Sequence, residues 1–377
     1  MTADGGPGRP LRILLLGRGG NLDGSQRQLS YLASGLDAQR FALTLVLNEE
    51  GPLAQQLRQQ GREVHILRFR KWRSFPDCLF RYGPAARLVA LGRRQGVDIV
   101  HASDLWRAGY AHYAARALGA ACILHVRGPI TPHDMAKHRL RHASAVIAIA
   151  QRYEQDLAAA GLDGGKVQVI DDAVDLGRFR PDPSAAPALR QEIGLADCLL
   201  VGLVGRIEPF KCVREFVDII APLAGGADGR VAFLVVGQPG PRSYYKALLE
   251  TVRQRGLSRQ VIFTGRRDDM PRVMAGLDVL VTLSGGSTMF EAMACGACVL
   301  SVRADGRHSV HTRHDQTAWC VTTNQHQPAT AALAQLLADG ERRRRLGNAG
   351  RIQVQEHLSA GRMVVATAAL YERFAVC

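Results

Sequence analysis

Long apolar runs, aromatic residues and acids are all scarce in this sequence. A membrane-spanning helix needs about 18–20 consecutive apolar residues, and the longest runs here, such as Cys198–Gly205, are the length of a strand. The first ten residues, MTADGGPGRP, lack the cationic start and apolar stretch of a signal peptide. On both counts a cytoplasmic chain is expected. Aromatics make up 6% of 377 residues, whereas glycine supplies 39. Many glycines with few aromatics suit an α/β chain, whose strand-to-helix turns need positive φ. The 34 Asp and Glu are outnumbered by 48 Lys and Arg, a formal net charge of +14. Such a surface attracts phosphates, nucleic acid or an anionic membrane face. The 8 cysteines are scattered, mostly in apolar segments, and read as buried reduced thiols. Cys295 and Cys298 form a C-x-x-C, but one should end a helix and the other begin a strand. Their thiols are expected to diverge, which speaks against redox or metal chemistry.

With 47% hydrophobic and 22% charged residues, the chain is an ordinary packed protein and neither disordered, collagenous nor coiled coil. Apolar runs at Leu11–Leu16, Phe41–Leu47, Glu63–Leu67, Asp98–His101, Ala121–His125, Ala145–Ala148 and Val167–Ile170 read as strands. Helical patterns such as Ser25–Leu36 and Pro52–Gln60 separate them. Arg178–Pro187 carries three prolines and no periodicity, and reads as a linker. Strands then resume at Leu199–Val204, Val231–Val236, Val261–Gly265, Asp278–Leu283, Ala297–Val302 and Ala318–Val321. Helices near 329–339, 341–357 and 360–374 close the chain. Continuous Val/Ile/Leu strands alternating with helices predict parallel sheets covered on both faces. The expected fold is α/β: two doubly wound Rossmann-like domains, 1–180 and 181–360, facing across a cleft. Residues 361–377 should form a helix packing back on the first domain. Ligands of open parallel sheets bind beyond the strands' carboxyl ends.

Three loops at such ends carry chemistry. Gly17–Gly24 is glycine-rich and precedes a helix N-terminus, an arrangement that favours phosphate. Its spacing is not G-x-G-x-x-G, although Glu49 could mimic the ribose acid of a nicotinamide dehydrogenase. A turn without ligand is the plain alternative. Gly205–Lys211 puts Arg206 and Lys211 beside a helix start, either a diphosphate site or solvated surface cations. Leu283–Gly296 gives a small-residue turn, then a helix near Thr288, whose N–H groups with Ser287 and Thr288 could cradle an anion. Glu291, one turn in, suits the two hydroxyls of a ribose, or merely caps the helix.

Taken together, these loops resemble the GT-B-fold glycosyltransferases of family four, retaining enzymes that use nucleotide-diphosphate sugars. Asp23-Gly24-Ser25-Gln26-Arg27-Gln28-Leu29 resembles the family's first loop. Gly205, Arg206 and Lys211 match its G-R-x-x-x-x-K, and Glu291–Gly296 its E-A-M-A-C-G. Val169–Pro181 resembles the junction between its domains. The resemblance implies catalytic roles for His125, Arg206 and Lys211. It implies donor contacts from Gly24, Gly205, Arg266, Gly285, Gly286, Ser287, Thr288 and Glu291. His125 would hydrogen-bond the donor sugar, with His101 the weaker candidate. The donor would be a nucleotide-diphosphate sugar, carried on UDP or GDP, and no metal or other cofactor would be required. The family has a second glutamate eight residues before Glu291, next to the transferred sugar; Leu283 stands there. Asp172-Ala173 replaces the usual Asn-Gly of the junction.

Arg68–Arg81 interleaves cations with Phe69, Trp72, Phe75 and Phe80. Basic residues among aromatics suit a membrane interface. Arg70, Lys71, Trp72, Arg73 and Arg127 are therefore acceptor or membrane candidates, with an ordinary surface loop as the alternative. No nucleic-acid module accompanies the segment. Arg342–Arg345 reads as a solvated helix face. His308, His311 and His314 recur every third residue, a spacing that would fan them around a helix and against metal binding. The reading is a cytoplasmic glycosyltransferase, peripheral to the membrane, acting on a glycan or lipid-linked acceptor of polysaccharide or lipopolysaccharide synthesis. A nucleotide-sugar epimerase and a non-catalytic glycosyltransferase-like partner subunit are the alternatives.

Overall fold

Strands apolar on both faces pair in parallel and need helices above and below. A computed structural model describes residues 9–22, 24–195, 197–224 and 230–375. The first eight residues of the N-terminal stretch and Asp23 of the first motif lie outside them. Among the described residues the strands form two sheets. In the first, β1 (Leu11–Leu16), β2 (Phe41–Leu47), β3 (Glu63–Ile66), β4 (Ile99–Ala102), β5 (Ala121–Val126), β6 (Ala145–Ala148) and β7 (Val167–Val169) lie in the order β3-β2-β1-β4-β5-β6-β7. In the second, β8 (Leu199–Val204), β9 (Val231–Val236), β10 (Val261–Gly265), β11 (Val279–Thr282), β12 (Cys298–Arg303) and β13 (Trp319–Thr322) lie in the order β10-β9-β8-β11-β12-β13. The pairings are parallel. Each apolar run read as a strand is one, to within a residue at its ends. Each sheet is doubly wound, with its order reversing beside its first strand.

Two compact units result: one runs to Ala173 and resumes at Ala360, the other is Val174–Ser359. In the first, Ile13, Leu15, Ile99, Ile123 and Ile147 face one layer of helices. Leu14, Leu16, Val100, Leu124 and Val146 face the other. This is the period-two alternation of a strand buried on both sides. The final helix, Ala360–Glu372, lies along Gly24–Gly35 and buries Met363, Leu370 and Tyr371 in the first core. In the second unit the same alternation puts Val201, Phe233 and Val281 on one face and Leu200, Leu234 and Leu280 on the other.

Two local expectations are corrected. Arg178–Pro187 is not an open linker. The Asp175 carboxylate accepts the N–H groups of Gly177 and Arg178 at 3.1 Å each, and Phe179 is buried. A helix, Ala185–Glu192, starts inside the segment. Pro187 sits in its first turn, where the helix has no use for an N–H. Nor is Arg342–Arg345 merely a solvated face. Arg343 donates to the carbonyls of Leu336 and Leu337 at the end of the preceding helix, and Arg345 to the Asp315 carboxylate and carbonyl. Arg342 lies 4.8 Å over the Trp319 ring. No helix among the described residues is long and apolar enough to cross a membrane.

Candidate functional site

Adjacent strands β10, β9, β8 and β11 end on one edge of the second sheet, so their loops meet there. Backbone bonds lace three of them together. Gly237, after β9, donates to the Gly265 carbonyl at 3.0 Å, and Gly205 donates to Val236 at 2.9 Å. Ile207 donates to Gln238, and Gly240 returns a bond to Ile207. Gly237 must be glycine: a Cβ there would stand 1.9 Å from the Gly205 carbonyl oxygen. Gly237→Ala is expected to push the Gly205–Lys211 loop outward and cost about 1–3 kcal/mol of stability. Thermal unfolding of the variant measures it.

Lys211 is the centre of this edge. It ends the turn Pro209–Lys211, and its ammonium donates to Ser284 Oγ at 3.4 Å. A Cβ on Gly286 would lie 3.9 Å from that same nitrogen. Gly286 is the N-cap of the helix Ser287–Ala294 and brings no side chain to cap it. The first N–H groups of a helix have no partner within it, so the helix presents free donors and a positive dipole beside the ammonium. Burial, then the neighbouring Arg206, lowers the Lys211 pKa. Glu208 opposes the shift only in part. Arg206 is exposed and pairs with Glu208 at 3.0 Å. Such a pair contributes about 1 kcal/mol or less, so exchanging it for a phosphate costs little. The exposed Phe210 ring lies under both cations, 5.7 Å from Arg206 and 5.4 Å from Lys211. Sequence reasoning passed over Phe210, although its place between the two cations was the available signal.

Gly205, Gly285, Gly286, Ser287 and Thr288 thus share this edge with Lys211, and half-buried Glu291 stands one helical turn in. Leu283 packs against the core of the unit. Arg266, beyond β10, is exposed and pairs with Asp268 at 3.2 Å. Its neighbour Arg267 is engaged by Asp269 and Glu192.

The first unit places its candidates differently. Gly24 opens the helix Gly24–Gly35, and open space surrounds its Cβ position. Gln28 of that helix exchanges two 2.8 Å bonds with the Ala173 backbone. His125, near the end of β5, is 8% exposed, and its Nε2 has no hydrogen-bond partner. It stacks on His101 at 5.6 Å. Tyr371 reaches His101 Nδ1 at 2.6 Å, a partner 270 residues away that sequence reasoning missed. Burial, then Arg127, holds His101 at about 3; burial, Arg127 and His101 hold His125 well below the usual imidazole range. Both rings are neutral, so His125 offers a hydrogen bond rather than a charge. Arg127 stands apart from the other membrane candidates: it donates to the Asp172 carboxylate at 2.6 Å and to the Ser103 carbonyl at 2.9 Å. Arg70, Lys71, Trp72 and Arg73 instead form one wall of a cavity of about 760 Å³.

Two family models match the chain, glycosyl transferases group 1 over residues 187–353 and glycosyltransferase family 4 over residues 22–178. The chain belongs to the family-four glycosyltransferases. It is 32% identical to 2-deoxystreptamine glucosyltransferase of Streptomyces kanamyceticus, over 58% of this chain and 62% of that one. It is 29% identical to D-inositol 3-phosphate glycosyltransferase of Nocardia farcinica, over 65% of this chain and 57% of that one. It thus spans less than two thirds of these curated relatives. The structure of Anabaena HepE in complex with UDP and glucose superposes with a TM-score of 0.82 over 96% of this chain and 99% of its own, at 20% identity. The chain has the GT-B fold.

The C-x-x-C and the histidine run of the family-four chain are held by their immediate surroundings. Cys295 ends the helix and Cys298 opens β12; both are buried, and burial lifts each thiol to about 12. The histidine run lies in no helix. Its members take separate partners: His308 pairs with Ser301 at 2.9 Å, His311 with Gln353 at 3.2 Å, and His314 accepts the Cys320 N–H at 3.2 Å.

Proposed function

We propose that this chain is a retaining glycosyltransferase moving a sugar from a nucleotide-diphosphate sugar to a glycan or lipid-linked acceptor. The observation that carries it is the half-buried Lys211 ammonium beside an uncapped helix N-terminus. In this reading the second unit binds the donor. Lys211, Arg206 and the N–H groups after Gly286 take the diphosphate, with Ser287 and Thr288 hydroxyls beside them. Gly205 and Gly285 keep the backbone close, Glu291 takes the ribose diol, and Arg266 stands by the base. The first unit is the acceptor side in this reading, and Gly24 and the unpartnered Nε2 of His125 are its proposed contacts to the donor.

The chemistry is electrostatic. Negative charge grows on the diphosphate as the sugar leaves, and fixed cations with helix N–H groups stabilise it without reorganising. In this reading the acceptor attacks on the face the leaving group departs, retaining configuration. HepE, with UDP and glucose bound, supports a uridine carrier, and GDP is the alternative. We place the enzyme at the cytoplasmic membrane face, in polysaccharide or lipopolysaccharide synthesis, because exposed Phe75, Leu79 and Phe80 sit among cations.

Thermal unfolding with UDP, GDP, ADP and TDP in turn tests the donor site. A ligand at about 100 Kd adds about 2.7 kcal/mol, a shift of several degrees. One diphosphate is expected to give it, and Arg206→Ala with Lys211→Ala to abolish it. No shift with any would favour a non-catalytic partner subunit, the reading that Leu283, in place of a family glutamate, supports. Donor consumption without acceptor would favour an epimerase.

A further inference from the structure

The cavity in the first unit is lined by cations and aromatic rings and by no acid. Arg70, Lys71 and Arg73 come from the segment after β3. Arg116 comes from the helix Ala108–Leu118, Lys137 and Arg139 from the end of the helix Pro132–His138. Arg107 closes the inner end. It is 9% exposed, stacks 4.7 Å over Phe69, and donates to the Arg18 carbonyl at 3.0 Å. Three acids lie close to this wall without lining it: Asp77 faces Arg70 and accepts the Lys71 N–H, Asp134 is taken up by Thr131, and buried Asp104 accepts the Trp106 N–H through Oδ1 while its Oδ2 has no partner.

The aromatic wall is built rather than incidental. Trp72 lies flat against Gly109, where a Cβ would stand 2.3 Å from its ring. Tyr110 meets it edge-on at 4.8 Å, and Tyr113 tilts against it at 6.1 Å. The Tyr110 hydroxyl holds the Arg70 backbone at both its N–H and its carbonyl, 3.0 Å each. The segment therefore keeps its shape without a ligand. A fixed aromatic face suits a sugar ring or a lipid stem, and cations converging from three elements suit phosphate oxygens.

We propose that this cavity is the acceptor site and that it selects an acceptor bearing a phosphate or pyrophosphate ester beside its apolar or ring face. This rests on the reading of the first unit as the acceptor side. A lipid-borne phosphate and a soluble phosphate ester share this chemistry.

Two of the chain's three tryptophans, Trp72 and Trp106, line the cavity, so fluorescence reports on it directly. In a Trp319→Phe background, titration with inorganic pyrophosphate, with glucose 1-phosphate, and with phosphatidylcholine vesicles with and without phosphatidic acid separates the sources. Arg116→Gln with Lys137→Gln is expected to weaken the response about tenfold or more and reduce its salt dependence. The UDP or GDP thermal shift should survive in this variant. A response to glucose 1-phosphate assigns a soluble ester; a response to phosphatidic acid vesicles alone assigns a lipid-borne one. No response to any anion, or an equal response in the variant, overturns the proposal. Loss of the nucleotide shift from the unaltered protein, with the cavity response intact, would instead overturn the donor reading.

Discussion

Lys211→Ala is expected to lower kcat/KM by about 10²–10³-fold, the cost of removing one preorganised stabiliser of a developing anion. Its ammonium sits between Ser284 and the N-cap Gly286, where burial has already depressed its pKa. A positive charge held out of water acts on a nearby anion through a lower dielectric than a surface charge does. The growing diphosphate charge would therefore feel it more strongly than the ground state does, and kcat should fall as well as kcat/KM. Folding should survive the change, since the side chain's polar contact is a single 3.4 Å bond and its stem lies on Gly205. Arg206→Ala should act mainly on KM, because that guanidinium is exposed and shared with Glu208. Initial rates of nucleotide release, with the donor named by the thermal shifts, measure both. Undiminished turnover in Lys211→Ala would remove the diphosphate from this edge.

How much of this was legible in the sequence depends on the range of each interaction. The strands were readable because burial on both faces writes them as unbroken apolar runs, and Leu199–Val204 or Val231–Val236 needs no partner to be recognised. The loops around Lys211 were readable for the same local reason: glycines and turn residues cluster at strand ends. What brings Arg266, Gly237, Lys211 and Gly286 to one edge is the order β10-β9-β8-β11, which no local pattern records. Long-range polar pairs were invisible. Asp172, which stands where the junction's usual asparagine would, anchors Arg127, a residue grouped above with the membrane candidates. Arg116, Lys137 and Arg139 escaped notice because cations near a helix C-terminus are ordinary, and only tertiary folding aims them into one cavity. The partners of the histidine run were equally invisible, since each ring is held by a neighbour distant from the other two in sequence.

The first unit is expected to lose about 2 kcal/mol of stability between pH 8 and pH 5 from His101 alone, and His125, also held well below the usual imidazole range, adds to the loss in the same direction. Both imidazoles lie in the core beside Arg127, so protonation would bury two charges next to a third. Burial raises the Tyr371 pKa and keeps its hydroxyl protonated. The hydroxyl and His101 Nδ1 share one 2.6 Å hydrogen bond, whose donor is set by the tautomer of the ring. In the folded state His101 takes a second proton only near pH 3, against an ordinary value of 6.5. Below about 6.5 the unfolded chain binds protons that the folded chain refuses, so stability falls as the pH falls toward 3. Above 6.5 neither state is protonated there, and these groups contribute no slope. Urea unfolding followed by Trp72 and Trp106 fluorescence, in the Trp319→Phe background, reads this unit across the range. His101→Gln should remove about one proton's worth of slope, near 1.4 kcal/mol per pH unit. An unchanged slope would mean that His101 titrates as in water. Tyr371→Phe takes the hydroxyl from His101 Nδ1 without adding charge, and is expected to lower kcat while leaving the nucleotide thermal shift in place.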